Sequence, residues 1–178
     1  MSRLFGPIRQ VAYVVRDMKT ALLSWIEAMR VGPFFTFEAP PDDNSVFRGL
    51  PCRAHTRFAL AQSGALQIEL VQPVNDAPSP FREFLDAGRE GEHHVAFWTD
   101  AFDRDMAKYA AEGFKTLMFA APFGRKDCRL AFLDTKTDLG PMIEISETSG
   151  PKGELFRKIA AAGHVWDGRN PIRAITDL

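Results

Sequence analysis

A chain of 178 residues with 46% hydrophobic positions and 15 Phe can bury a sizeable core, as one compact unit or as two closely packed small modules. Its 22 Lys and Arg stand against 23 Asp and Glu, so it lacks the basic surplus that nucleic acid or an anionic membrane would select, and the expected partners are a small-molecule substrate and a second copy of the chain, a homodimer. Two cysteines, Cys52 and Cys128, in no metal or redox spacing argue against a disulfide framework and predict buried thiols in a reducing cytoplasm, and no targeting segment or run of about 18 apolar residues is present.

Residues 8–15 (IRQVAYVV) are rich in β-branched side chains and predict a strand. Asp17 then caps a helix whose apolar positions are Met18, Ala21, Leu22, Trp25, Ile26 and Met29. Gly32 and Pro33 stop it, and extended runs at 34–38, 55–61 and 66–72 complete a βαβββ order over residues 1–73. Residues 74–92 read as a linker with a short helix, begun by Ser79 and Pro80 and carrying Phe81, Phe84 and Leu85.

The order returns over residues 93–147: a strand HHVAFWT, a helix at 102–112 closed by Gly113, and strands near 114–119, 128–133 and 141–146. Register supports a duplication. QVAYVV from Gln10 lies over HVAFWT from His94 at an offset of 94 − 10 = 84, and IEL around Glu69 lies over IEI around Glu144 at 144 − 69 = 75. The difference of nine is what loops of unequal length inside a repeated unit produce, chiefly the longer 40–53 loop of the first half. Residues 148–178 form a C-terminal helix and tail. Leu155, Phe156 and Ile159 share one helical face, expected to pack on the outside of a module or on a partner subunit. The fold class expected is α+β, two tandem βαβββ modules forming a curved mixed sheet around a metal site.

Glu69 and Glu144 each sit mid-strand between branched apolar neighbours, so alternation sends the Ile and Leu to one face and both carboxylates to the other. Exposed, they would be ordinary surface acids; enclosed by a curved sheet they need a cation, because an unpaired buried charge is costly or titrates away. Gln10 and His94 occupy matching positions at the start of the two first strands. One His nitrogen and three side-chain oxygens suit Zn, Ni, Co or Mn rather than a thiolate-preferring metal.

QVAYVVRD, LQIELVQP, HHVAFWTD and MIEISE resemble the four metal-strand signatures of the glyoxalase, bleomycin-resistance and dioxygenase superfamily, known as the vicinal oxygen chelate superfamily, over about residues 8–147. The resemblance implies Gln10, Glu69, His94 and Glu144 as ligands of one divalent metal ion. It implies a lyase or isomerase, closest to glyoxalase I and methylmalonyl-CoA epimerase, with Glu144 as general base and Glu69 its counterpart across the substrate. Four protein ligands, with Gln10 where a dioxygenase would have His, depart from the iron site of the ring-cleaving members; the bleomycin-resistance binders lack the metal residues.

Alternation places His93 on the face opposite His94, as a packed or surface residue. His55 and His164 have no counterpart in the repeat and are assigned no role. Arg48, Arg57 and Arg129 are the cations that could grip an anionic substrate, though each reads more simply as a surface residue. Phe34, Phe35, Phe37, Phe47 and Phe123 could wall an apolar ligand or fill the core.

Overall fold

The structure, a computed structural model, describes residues 1–135 and 140–178, with the backbone alone for Phe123, whose side chain therefore lies outside the described part. In chain order the elements are β1 (Gln10–Val14), α1 (Met18–Glu27), β2 (Phe34–Ala39), β3 (Ser45–Phe47), β4 (Leu50–Pro51), β5 (Thr56–Ser63), β6 (Leu66–Pro73), α2 (Pro80–Asp86), β7 (Gly91–Thr99), α3 (Phe102–Ala111), β8 (Lys115–Ala120), β9 (Leu130–Asp134), β10 (Met142–Glu147), α4 (Pro151–His164) and β11 (Ile172–Ala174). All strands join one curved, unclosed mixed sheet in the order β11-β2-β5-β6-β1-β7-β10-β9-β8-β3-β4.

The expected βαβββ order is present twice, as β1-α1-β2-β5-β6 and β7-α3-β8-β9-β10. The two halves meet at the centre through the antiparallel pair β1 and β7, and each of these pairs in parallel with the last strand of its own half, β1 with β6 and β7 with β10. Two pairings lie outside the repeat. The long 40–53 loop folds into the β3–β4 hairpin, whose Val46 pairs with Phe119 of β8, and the tail returns as β11 on the free edge of β2.

Local signals explain where helices begin. Asp17 accepts a hydrogen bond from the Thr20 backbone N–H at 2.6 Å, and Ser79 Oγ accepts from the Arg82 N–H at 3.1 Å, each satisfying an amide that the helix itself leaves unpaired. α1 buries Met18 and Leu22 against Ile68, Leu70 and Phe34 on the convex side of the first half. α3 does the same in the second half, with Phe102 and Tyr109 on Val95, Phe97, Leu133 and Ile145. Both Cys52 and Cys128 are buried free thiols.

The concave side is closed at both ends. At one end α2 inserts Phe81, Phe84 and Leu85 among Val14, Val71, Phe47, Met118 and Phe132. At the other end lies α4, and here the expected outer position is corrected. Its apolar stripe covers the concave face itself, where Phe156 and Ile159 pack on Phe35 and Leu60 and the Phe156 ring stands 4.8 Å from that of Trp98. The tail then returns to the start of β2: the Trp166 indole lies so close to Gly32 that a Cβ there would come within 2.8 Å of it, and the Pro171 carbonyl accepts from the Phe34 N–H.

Of the aromatic residues singled out from the sequence, Phe34, Phe35 and Phe47 are buried core residues and Phe37 stacks on Phe58 with ring centres 5.1 Å apart.

Candidate metal centre

Strand register places the candidate residues on one face. Glu69 and His94 are both partners of Ala12, in one row across β6, β1 and β7; Gln67, Gln10, Ala96 and Glu144 form the adjacent row. Because strand side chains two apart share a face, both rows look into the concavity. The halves superpose in kind: Gln10 pairs with Gln67 as His94 pairs with Met142, and Glu69 and Glu144 follow two residues on.

Three of the four expected ligands converge. The Nε2 atom of His94 lies 3.2 Å from Glu69 Oε2 and 3.2 Å from Glu144 Oε2, and one potential ligand atom from each residue falls within 4.8 Å of the others. His94 is fully buried, Glu69 and Glu144 nearly so. Yet Nε2 makes no well-directed hydrogen bond among the described residues. Ligands held about 2.1 Å from a common ion are separated by about 3.0 Å at a right angle and about 3.4 Å at the tetrahedral angle, so spacings of 3.2 Å fit a coordination polyhedron. The donor set and the orphaned ring nitrogen therefore fit a divalent metal ion.

Gln10, also buried, forms no hydrogen bond with this trio among the described residues. Its Nε2 donates to Gln67 Oε1 at 2.8 Å, which turns its own amide oxygen away from Gln67. Gln67 is fully buried and was not foreseen; standing two residues before Glu69 on the same strand, it could have been found by the alternation that located the glutamates.

His93 corrects a second expectation. β7 bulges there: Ala12 pairs with His94 but Tyr13 with Glu92, so His93 is an extra residue and alternation fails. Its ring turns inward among Phe81, Phe84 and Phe132, and its Nδ1 lies 2.9 Å from His94 Nδ1. Burial, reinforced by the charge of His94 and opposed by a hydrogen bond to the Pro80 carbonyl, pulls the pKa of His93 down to about 3, so this ring is neutral.

The electrostatics of the centre follow from enclosure. Burial disfavours a charged His94, but Glu144 and Glu69 outweigh it and raise its pKa to about 9. Burial also raises Glu69, while for Glu144 the same penalty is overcome by His94, Lys152 and Ser146, which hold it below the usual carboxylate range. Lys152, on the first turn of α4, is the missed member of this group: burial lowers its pKa although Glu144 and Glu69 both pull the other way.

The three candidate arginines are engaged with acids. Arg48 pairs with Glu83 through two bonds of 2.9 Å, Arg57 pairs with Glu38, and Arg129 bridges Glu147 and Asp103. His55 also bonds Glu38, and His164 lies in the last turn of α4. Arg48 and Arg89 border a cavity of about 480 Å³ reaching His93 and Met142. Among the described residues no helix is long and apolar enough to cross a membrane.

Comparison with known proteins agrees with this architecture. The chain is 26% identical over 96 residues to the uncharacterized protein YqjC of Bacillus subtilis (strain 168), which is 54% of this chain and spans 66% of that relative. A methylmalonyl-CoA epimerase from Mycobacterium tuberculosis superposes with a TM-score of 0.59 at 20% identity, covering 86% of this chain and 95% of that one. A hypothetical protein from Bacillus halodurans C-125 gives 0.60 at 19% identity, covering 79% and 93%. Residues 9–132 match the family model described as Glyoxalase/Bleomycin resistance protein/Dioxygenase superfamily, and the chain belongs to that superfamily.

Proposed function

We propose that the protein is a metal-dependent lyase or isomerase of glyoxalase type, moving a proton at the carbon α to a carbonyl of a small molecule. The observation that carries this reading is the pair of carboxylates, one from each half of the repeat, flanking a single imidazole nitrogen at 3.2 Å. Glu69, His94 and Glu144, with the Gln10 amide oxygen as the fourth ligand, would hold Zn, Ni, Co or Mn. When bound, the ion supplies Lewis acidity toward substrate oxygens and so acidifies the neighbouring C–H.

The chain's own residues divide the remaining work. Glu144 accepts the proton at a carboxylate oxygen, and Glu69, its counterpart from the other half of the repeat, is the partner that returns one. Phe81, whose ring lies 6.2 Å from that of His94, and the aromatic pair Trp98 and Phe156 keep the surroundings apolar, which strengthens every charge interaction inside.

A second reading is an acyl-CoA epimerase, the same proton transfer carried out on a thioester. It is supported by structural neighbours that include a variant of Streptomyces coelicolor methylmalonyl-CoA epimerase in complex with 2-nitronate-propionyl-CoA, with a TM-score of 0.56 at 20% identity and coverage of 80% and 94%.

The test is metal analysis of protein purified without chelator or affinity nickel, beside the His94→Ala variant. About one equivalent in the wild type, absent from the variant, is the expected result. Hemithioacetals and acyl-CoA thioesters are then screened for solvent deuterium exchange at the α carbon. A protein that neither carries nor takes up metal sinks the catalytic reading.

A further inference from the structure

The metal centre leaves part of the concave floor unexplained. Two buried donors there have no acceptor among the described residues: Nε2 of Gln67 and Nε1 of Trp98. Native folds rarely leave such groups orphaned, and an orphan pair on one face marks a place where another acceptor belongs. Gln67 stands in the row of Gln10 and Glu144, and Trp98 follows Ala96 of that row by two residues on β7.

The roof over this floor is α4. Lys152, Phe156 and Ile159 recur at helical intervals of four and three, so they project from one side of the helix, and Phe156 and Ile159 are the residues that meet the sheet. Lys152 therefore faces the same space as Trp98. Among the described residues its ammonium has a single acceptor, the Arg129 carbonyl at 2.8 Å, and forms no ion pair within 4.0 Å. Its charge is felt by both Glu144 and Glu69, which places it on the centre's side of the helix.

We propose that Gln67 Nε2, Trp98 Nε1 and Lys152 Nζ form an oxygen-anion subsite beside the metal centre, taking a carboxylate or similar oxygen group of the substrate. This deepens the metal-dependent reading and rests on it for its catalytic meaning, though the subsite can bind without metal. It assigns the substrate a second oxygen-bearing group besides those next to the acidic C–H. It also gives α4 a role in recognition.

The chain has three Trp, so the indole N–H resonances of 15N-labelled full-length protein are resolvable, and Trp98→Phe assigns the one of interest. Acetate is titrated at constant ionic strength with chloride as balancing ion, with and without added Zn. The expected result is a saturable downfield shift of the Trp98 N–H, with Trp166, whose Nε1 already donates to the Arg169 carbonyl, unmoved. Lys152→Gln should weaken acetate binding about tenfold and Lys152→Met should abolish saturation. A Trp98 signal that does not respond, or that responds equally in Lys152→Met, overturns the subsite and leaves buried water as the partner of these donors. Metal uptake with Trp98 unmoved would overturn the subsite alone; a shift without metal uptake would uphold it and overturn the metal reading.

Discussion

The Nδ1 atoms of His93 and His94 lie 2.9 Å apart, so between two adjacent residues one ring donates and the other accepts. His93 is neutral, whereas the two glutamates raise the pKa of His94 to about 9 and keep it charged near neutral pH. Nδ1 of the charged His94 carries a proton and can only donate, so Nδ1 of neutral His93 is the acceptor. That fixes the tautomer of His94 with Nε2 directed to Glu69 and Glu144.

Removing this acceptor should therefore loosen metal binding without emptying the core. His93→Phe is expected to lower metal affinity roughly 10- to 100-fold, whereas His93→Gln, whose amide oxygen can still accept, should recover most of it. Competition with a chromophoric chelator measures both. Equal affinities for the Phe and Gln variants would refute the tautomer argument.

How far the site was legible follows from the same residues. Glu69 and Glu144 were readable because their strands alternate regularly and the repeat offsets align them, and the structure brings them to His94. His93 was misplaced because a bulge is a matter of pairing between strands, which alternation along one strand does not contain. The location of α4 was not legible either: Leu155, Phe156 and Ile159 form a stripe that would suit any apolar surface, and only the curvature of the sheet makes the concavity the surface that needs covering. Lys152 went unnoticed with it.

The two glutamates should separate under conservative substitution. Glu144→Gln retains an oxygen ligand but no longer accepts a proton, so exchange of the α proton should fall by roughly 10² to 10⁴ while metal content stays near that of the wild type. Glu69→Gln should slow return of the proton to product more than its removal. Deuterium exchange against product formation distinguishes the two. If both variants lose exchange equally with metal intact, the assignment of Glu144 as base is wrong.

Acid stability should carry the mark of Glu147. It is 3% exposed and bonded by Arg129, and although burial raises its pKa, those bonds hold it below the ordinary glutamate value. A folded pKa below the unfolded one means that the unfolded chain takes up the proton first as pH falls. The stabilisation is then complete above the unfolded value of about 4.5 and is lost as pH drops through the folded pKa. Glu147→Gln should cost roughly 1.5 to 3 kcal/mol near neutral pH, and the gap to the wild type should close in acid. Urea titrations at a series of pH values test this; a gap independent of pH would mean that the pair contributes through packing alone.

The docking of α4 depends on a glycine where helix propensity would prefer alanine. A Cβ at Gly153 would sit 2.0 Å from the Thr148 carbonyl oxygen and 2.9 Å from its carbon, both backbone atoms that cannot rotate aside. On an open helix Gly→Ala would stabilise by up to about 1 kcal/mol; here the clash reverses the sign, and a net loss of about 1 to 3 kcal/mol is expected. The first turn must move for the methyl to fit, and Lys152 is the preceding residue, so hydrogen exchange should rise across α4 while β1, β6 and β7 stay protected. The sheet holds Glu69, His94 and Glu144 by itself, so metal affinity should be nearly unchanged in Gly153→Ala while the Trp98 indole response to acetate weakens. Loss of metal binding along with α4 protection would instead mean that the helix holds the centre together as well as roofing it.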